Sequence, residues 1–229
     1  MCIRDRSGPG VDIRTPWPAL SDEQQREMDQ AVAMLREAAD QGHMAAQACC
    51  GAIYDFGCGV AKDERLAFVY YEKSAQQGHL LCEFNTGLNY EDGLGCDPSY
   101  ERAAEWYEKA ASRGHVKAQV NLAILHGAGL GVPTNLKKAR DLYTLAAEQG
   151  HADAAEGLEL INKAYKAIQH EYPLLGKRVV ITGTSREDLN GKTGVATSFD
   201  HARGRYVVEF GKQREKAVAF RPQHLRSAG

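Results

Sequence analysis

The chain has 229 residues, 43% of them hydrophobic and 25% charged, with a formal net charge of −2 and six cysteines. That length accommodates one elongated array and one small second domain. It contains no apolar run of the roughly 18 residues that a membrane helix needs and no charged-then-apolar leader, so neither a membrane span nor secretion is predicted, and a cytoplasmic protein is expected.

Residues 1–19, "MCIRDRSGPGVDIRTPWPA", are rich in Gly, Pro and Arg and read as a non-native or disordered leader, so Cys2 supports no argument. The stretch 20–43, "LSDEQQREMDQAVAMLREAADQGH", opens with Ser21 and Gln24 at the spacing of a capping box, and its acidic first turn suits the helix dipole. Its closing Gly-His pair returns, placing His43, His79, His115 and His151 at a constant interval of 36 residues. A fixed period of this size marks stacked units that bury their apolar faces only against their neighbours.

The rest of the unit repeats as well. Stepping by 36 from 52–79 aligns Gly57, Gly93 and Gly129; Gly59, Gly95 and Gly131; Ala67, Ala103 and Ala139; Tyr71, Tyr107 and Tyr143; and Ala75, Ala111 and Ala147. Residues 45–55 and their equivalents are Ala-rich, with Gly51 and Tyr54 on one face, which predicts a short helix A closely approached by a second backbone. The GxG pair that follows supplies two residues free to take positive φ, so it ends helix A and turns the chain. Asp63, Ser99 and Asn135 then fall at one register as N-caps of a helix B, which stops at the glycine of the Gly-His pair. The four histidines read as structural and no metal is expected. One histidine per unit, on helices about 8–10 Å apart, cannot share an ion whose ligands must all lie about 2 Å away.

The unit "GLNYEDGLGCDPSYERAAEWYEKAASRGH" (87–115) resembles the Sel1-like repeat, a cousin of the tetratricopeptide repeat, departing at Cys96 where that family usually has Val. The likeness runs over about 28–160. It implies an α-α superhelical solenoid over 20–171, with a half repeat 20–44, full repeats 45–80, 81–116 and 117–152, and a capping helix 153–171 ending before Pro173. It also implies a monomeric, non-catalytic adaptor that binds a protein or peptide segment on its concave face and uses no cofactor. By the tetratricopeptide analogy the groove positions are Ala48, Ala52, Asp55 and Phe56, then Phe84, Leu88, Glu91 and Asp92, then Val120, Ile124 and Gly127. Phe84, Leu88, Val120 and Ile124 suit an apolar or helical ligand segment; equally, they are inter-repeat core. Gly51, Tyr54, Tyr71, Tyr107 and Tyr143 are expected to pack. Cysteine-rich secreted relatives pair cysteines eight residues apart between helix B and the next helix A, but here Cys82 faces Ser74. Cys49, Cys50, Cys58, Cys82 and Cys96 have no C-x-x-C spacing, so free thiols are expected rather than zinc. No phosphate loop or nucleophile elbow is present.

After Pro173 the composition shifts to short β-branched and aromatic runs, "GKRVVITG" (176–183), "KTGVATSF" (192–199), "GRYVVEF" (204–210) and "KAVAFR" (216–221). They predict a small antiparallel β-barrel over 172–229, making the chain an α+β multidomain protein. The run 176–199 resembles the Src-homology-3-like barrels and their KOW strand-turn-strand. Residues 172–229 hold 11 Lys or Arg against 5 Asp or Glu, and the remainder 17 against 25. The basic barrel suggests a second reading, in which Arg203, Arg205, Lys212 and Arg214 contact RNA or DNA phosphates. A third is that the barrel caps the last repeat.

Overall fold

The computed structural model describes residues 21–200, 203–210 and 217–228. The leader 1–19 with Cys2, and the basic residues Lys212, Arg214 and Lys216, lie outside the described residues.

Among the described residues eight α-helices follow one another: α1 (Asp22–Asp40), α2 (Met44–Phe56), α3 (Glu64–Gln76), α4 (Leu80–Asp92), α5 (Tyr100–Ser112), α6 (Val116–Ala128), α7 (Leu136–Glu148) and α8 (Ala152–Glu171). From α1 to α7 each packs on the next in sequence, forming a repeat solenoid in which α2, α4 and α6 are the A helices and α1, α3, α5 and α7 the B helices. The 36-residue period arises because every unit starts and stops its helices with the same chemistry. Asp63, Ser99 and Asn135 accept from the backbone N–H three residues on, and Ser21 forms the expected reciprocal capping box with Gln24. Gly57, Gly93 and Gly129 close the A helices in the left-handed conformation. The second glycine of each pair has another reason to lack a side chain. A Cβ on Gly95 would lie 2.0 Å from the Glu64 carbonyl oxygen, and one on Gly131 would lie 2.3 Å from the Tyr100 carbonyl carbon.

Helix B turns its small-residue stripe inward around one large ring. Ala67, Tyr71 and Ala75, and likewise Ala103, Tyr107 and Ala111, are buried. The ring of Tyr71 lies over Gly51 and that of Tyr107 over Gly87, so close that an added Cβ would come within 2.5 Å of either ring. At this register the third unit has Ala123, and Tyr143 instead lies over Gly157 of α8.

The chain divides into two compact units, the first ending at Ile161 and the second starting at Asn162. In the second, β1 (Arg178–Ile181), β2 (Thr193–Asp200), β3 (Arg205–Glu209), β4 (Ala217–Phe220) and β5 (Leu225–Ser227) form an antiparallel sheet in the order β4-β3-β2-β1-β5. Val179, Ile181, Ala196, Tyr206, Val208, Phe220 and Leu225 form its apolar core with Leu189. Four strands lie where the sequence predicts them, but the sheet is not closed into the expected barrel. A one-turn 3₁₀ helix (Pro222–His224) carries the chain from one edge to the other, where the three-residue β5 pairs with β1; among the described residues β4 pairs with β3 alone. Among the described residues no helix is long and apolar enough to cross a membrane.

Candidate functional site

Helix A positions sort by burial. Phe84 and Val120 are 4% and 8% exposed, and the Phe84 ring stacks on His115 at 4.5 Å and tilts against Tyr107 at 5.9 Å. Ala52 and Asp55 are buried too, whereas Ala48, Phe56 and Leu88 are half-buried against the core. Ile124 is 45% exposed and Asp92 is exposed. Gly127 is half-buried beneath Ile161. Ala52, Leu88 and Ile124 share one register, so a single column along the A helices runs from buried to open.

Two of the three groove acids, Asp55 and Glu91, are engaged by packing residues. The Tyr71 hydroxyl donates to Asp55 Oδ2 at 3.5 Å and the Tyr107 hydroxyl to Glu91 Oε2 at 2.5 Å, while Asn121 Nδ2 donates to the Tyr107 oxygen at 3.1 Å. Burial, reinforced by the Glu91 charge, raises the Tyr107 phenol well above its ordinary value, so it remains a donor. At this register the third unit has Gly127, so Tyr143 meets no equivalent carboxylate there.

The recurrent histidines have a defined structural role. The Nδ1 atoms of His43, His79 and His115 accept from the backbone N–H groups of Ala46, Cys82 and Ala118 at 3.4, 3.4 and 3.2 Å, making each the N-cap of an A helix. Only a neutral ring can accept in this way, and burial followed by the Lys117 charge holds His115 below its usual value. Sequence reasoning placed the histidine at the helix start but not its capping bond, because cap preferences name Ser, Thr, Asp and Asn.

A second recurrent polar contact also escaped it. Gln77 Nε2 donates to Gln47 Oε1 at 2.6 Å and Gln149 Nε2 to Gln119 Oε1 at 2.9 Å. In the intervening unit the pair is Arg113 and Glu83, with Arg113 Nη1 3.1 Å from the carboxylate oxygens and 2.7 Å from the Gly78 carbonyl. Both positions change together, and comparing them in steps of 36 would have revealed the exchange.

On the sheet, Arg203 is exposed and lies 3.8 Å from Asp200, while Arg205 is half-buried with its Nε enclosed. Arg221 and Arg226 are exposed. Among the described residues no cluster of His, Cys, Asp or Glu suits a metal ion, and Cys49, Cys50, Cys58, Cys82 and Cys96 are free thiols. Burial pushes Cys50 and Cys82 up to about 11, which makes them unreactive.

The family model of the Sel1 repeat matches residues 23–43, 45–79, 80–115 and 116–151. No curated protein matches the chain. Among solved structures, c5321, a protective antigen present in uropathogenic Escherichia coli strains and displaying an SLR fold, is 32% identical with a TM-score of 0.55, over 62% of this chain and 29% of its own. A Sel1 repeat protein from Oxalobacter formigenes is 34% identical with a TM-score of 0.51, over 61% of this chain and 60% of its own. The chain thus spans less than two thirds of either structure.

Proposed function

This chain belongs to the Sel1 repeat family, and we propose from that premise that it is a non-catalytic, cytoplasmic adaptor binding a protein segment along the A helices of its repeats. Sel1 repeat proteins are protein-interaction scaffolds. The observation that supports a site on this chain is the column formed by Ala52, half-buried Leu88 and 45%-exposed Ile124, with the exposed carboxylate of Asp92 beside it. Such a column offers an apolar anchor to a segment lying across two units, and Asp92 favours a basic flank on that segment. Phe84, Val120, Asp55 and Glu91 support the column from within. The test is affinity capture from a cell extract by the full chain and by its Ile124→Asp variant. A partner that survives nuclease treatment and is lost with Ile124→Asp supports the reading; undiminished capture by the variant removes the A helices from it.

The second reading rests on the positive balance of residues 172–229 and on exposed Arg203, Arg221 and Arg226. In it the sheet contacts RNA or DNA phosphates through Arg203 and Arg205, with Lys212 and Arg214 beside them in sequence. Phosphate contacts release counterions, so oligonucleotide binding should weaken steeply between about 50 and 200 mM salt. Salt-insensitive binding, or none, rejects it.

A further inference from the structure

The junctions between successive units differ in what fills them. Between α3 and α4, Phe68 and Tyr90 meet edge to face at 5.2 Å, with Tyr90 5% exposed. The Tyr90 hydroxyl donates to Glu72 at 2.8 Å and accepts from Arg102 Nη1 at 3.3 Å, so an aromatic ring and a phenol are held by an acid from the preceding B helix and a base from the following one.

One period on, the acid and the base remain while both aromatic residues are gone. Glu108 and Lys138 stand in for Glu72 and Arg102, but Ala104 replaces Phe68 and His126 replaces Tyr90. Lacking a phenol between them, Glu108 and Lys138 pair directly at 2.7 Å. Beside them an open cleft of about 630 Å³ is lined by Ala104, Leu122, His126 and Val132 as well as by that pair. Its size falls within the usual range for small-molecule pockets, and its lining combines apolar Ala104, Leu122 and Val132 with the charged side chains of Glu101, Glu105, Glu108, Lys109 and Lys138. His126 borders the cleft and is 8% exposed, with its Nδ1 enclosed by the protein and without a hydrogen-bond partner. Buried polar atoms are ordinarily satisfied.

We propose that this cleft receives the side chain of a tyrosine from a partner polypeptide, the ring lying over Ala104 and His126 and the hydroxyl inserted between Glu108 and Lys138. The hydroxyl donates to the carboxylate and accepts from the ammonium, reproducing the bonds that Tyr90 makes one unit earlier. The exposed Glu108–Lys138 pair opens at little cost, because surface ion pairs contribute little. The site lies on the B-helix side of the junction and stands or falls independently of the A-helix column.

The test is an NMR titration of the full chain with p-cresol as the tyrosine side-chain probe, toluene as its counterpart without the hydroxyl, and N-acetyltyrosinamide as the backbone-bearing form. Amide shifts centred on Ala104, Glu108, His126 and Lys138, with p-cresol about tenfold tighter than toluene, are expected from hydrogen bonds to charged groups. N-acetyltyrosinamide should bind at least as tightly as p-cresol; its exclusion while p-cresol binds would overturn a protein source. The double variant Ala104→Phe/His126→Tyr rebuilds the preceding junction and should abolish binding. Unchanged binding by a folded double variant, an absence of shifts, or equal affinity for toluene overturns the proposal. Should the double variant not fold, Lys138→Met decides: the preference for p-cresol over toluene must shrink several-fold, and an unaltered preference sinks the assignment.

Discussion

The second and third units are built on the same period and answer it differently. Both end their A helices on a left-handed glycine, and both start their B helices on a side-chain cap. Their interiors diverge. The second unit seats Tyr107 on Gly87 and ties its hydroxyl to Glu91, whereas the third has Ala123 and Gly127 at those registers and leans Tyr143 on Gly157. Turns and caps therefore set the repeat, since backbone geometry tolerates few residue types. The space between helices is filled by whatever combination fits, and individuality resides there.

The strongest challenge to this contrast comes from the turns, where the two units should respond alike. Gly95→Ala and Gly131→Ala should each cost about 3–4 kcal/mol in urea unfolding, combining left-handed strain with a backbone collision. A cost confined to one of them would break the claim that turns are common property. In the interior the units should part: Gly87→Ala forces a Cβ to 2.5 Å from the Tyr107 ring and should cost about 2–3 kcal/mol. Gly127→Ala meets the Ile161 methyl at 3.2 Å and the Ala139 Cβ at an ordinary 4.0 Å, and a helix-propensity gain of up to about 1 kcal/mol should leave stability near that of the parent.

A smaller effect separates the charged pair of the middle unit from its neutral neighbours. Arg113→Gln strands the Glu83 carboxylate, whose side chain is 6% exposed, and should cost about 2 kcal/mol; the 48% exposure of Arg113 keeps it below the cost of breaking a fully buried pair. Adding Glu83→Gln recreates the Gln–Gln pair of the flanking units and should recover most of that loss in a double-mutant cycle. The smallest expected effect is on pH. Burial lowers His115 and His126 below the ordinary 6.5, so the unfolded chain takes up the proton first. Their contribution is complete above pH 6.5 and is lost as pH falls through that value toward the lower folded-state values. His115→Asn keeps a good cap and should flatten that decline when urea unfolding is compared at about pH 7.5 and pH 5.

What could be read from the sequence follows the same division. The period, the helix limits, the caps at Asp63, Ser99 and Asn135, and the left-handed glycines were legible because each is a local backbone demand met by few residue types. The packing role of Tyr71 and Tyr107 was legible from the small residues around them. The division of the A-helix positions was not. Phe84 and Ile124 are both apolar residues of A helices, and only the packing of the Phe84 ring on His115 and Tyr107 shows that it lies inside. Asp55 and Glu91 looked like ligand-facing acids because the hydroxyl each receives comes from 16 residues away. Barrel closure was not legible either, since strand patterns define which runs pair but not whether two short edges meet. The empty Phe68–Tyr90 position was visible in the sequence as Ala104 and His126, but it acquired meaning only once the preceding junction showed what had filled it.

The joints between units have a consequence for how such a chain changes its length. Gly42, Gly114 and Gly150 take positive φ with nothing within 4 Å of a prospective Cβ, and at Gly78 the nearest atom is the Arg113 guanidinium at 3.9 Å. The connection from one unit to the next thus depends on handedness rather than on fit to a particular neighbour. Unequal recombination that inserted or deleted a whole 36-residue block would leave the same glycine turn on both sides. Gain and loss of units is therefore a cheap evolutionary move for this architecture, whereas altering a cleft between units takes matched changes on two helices.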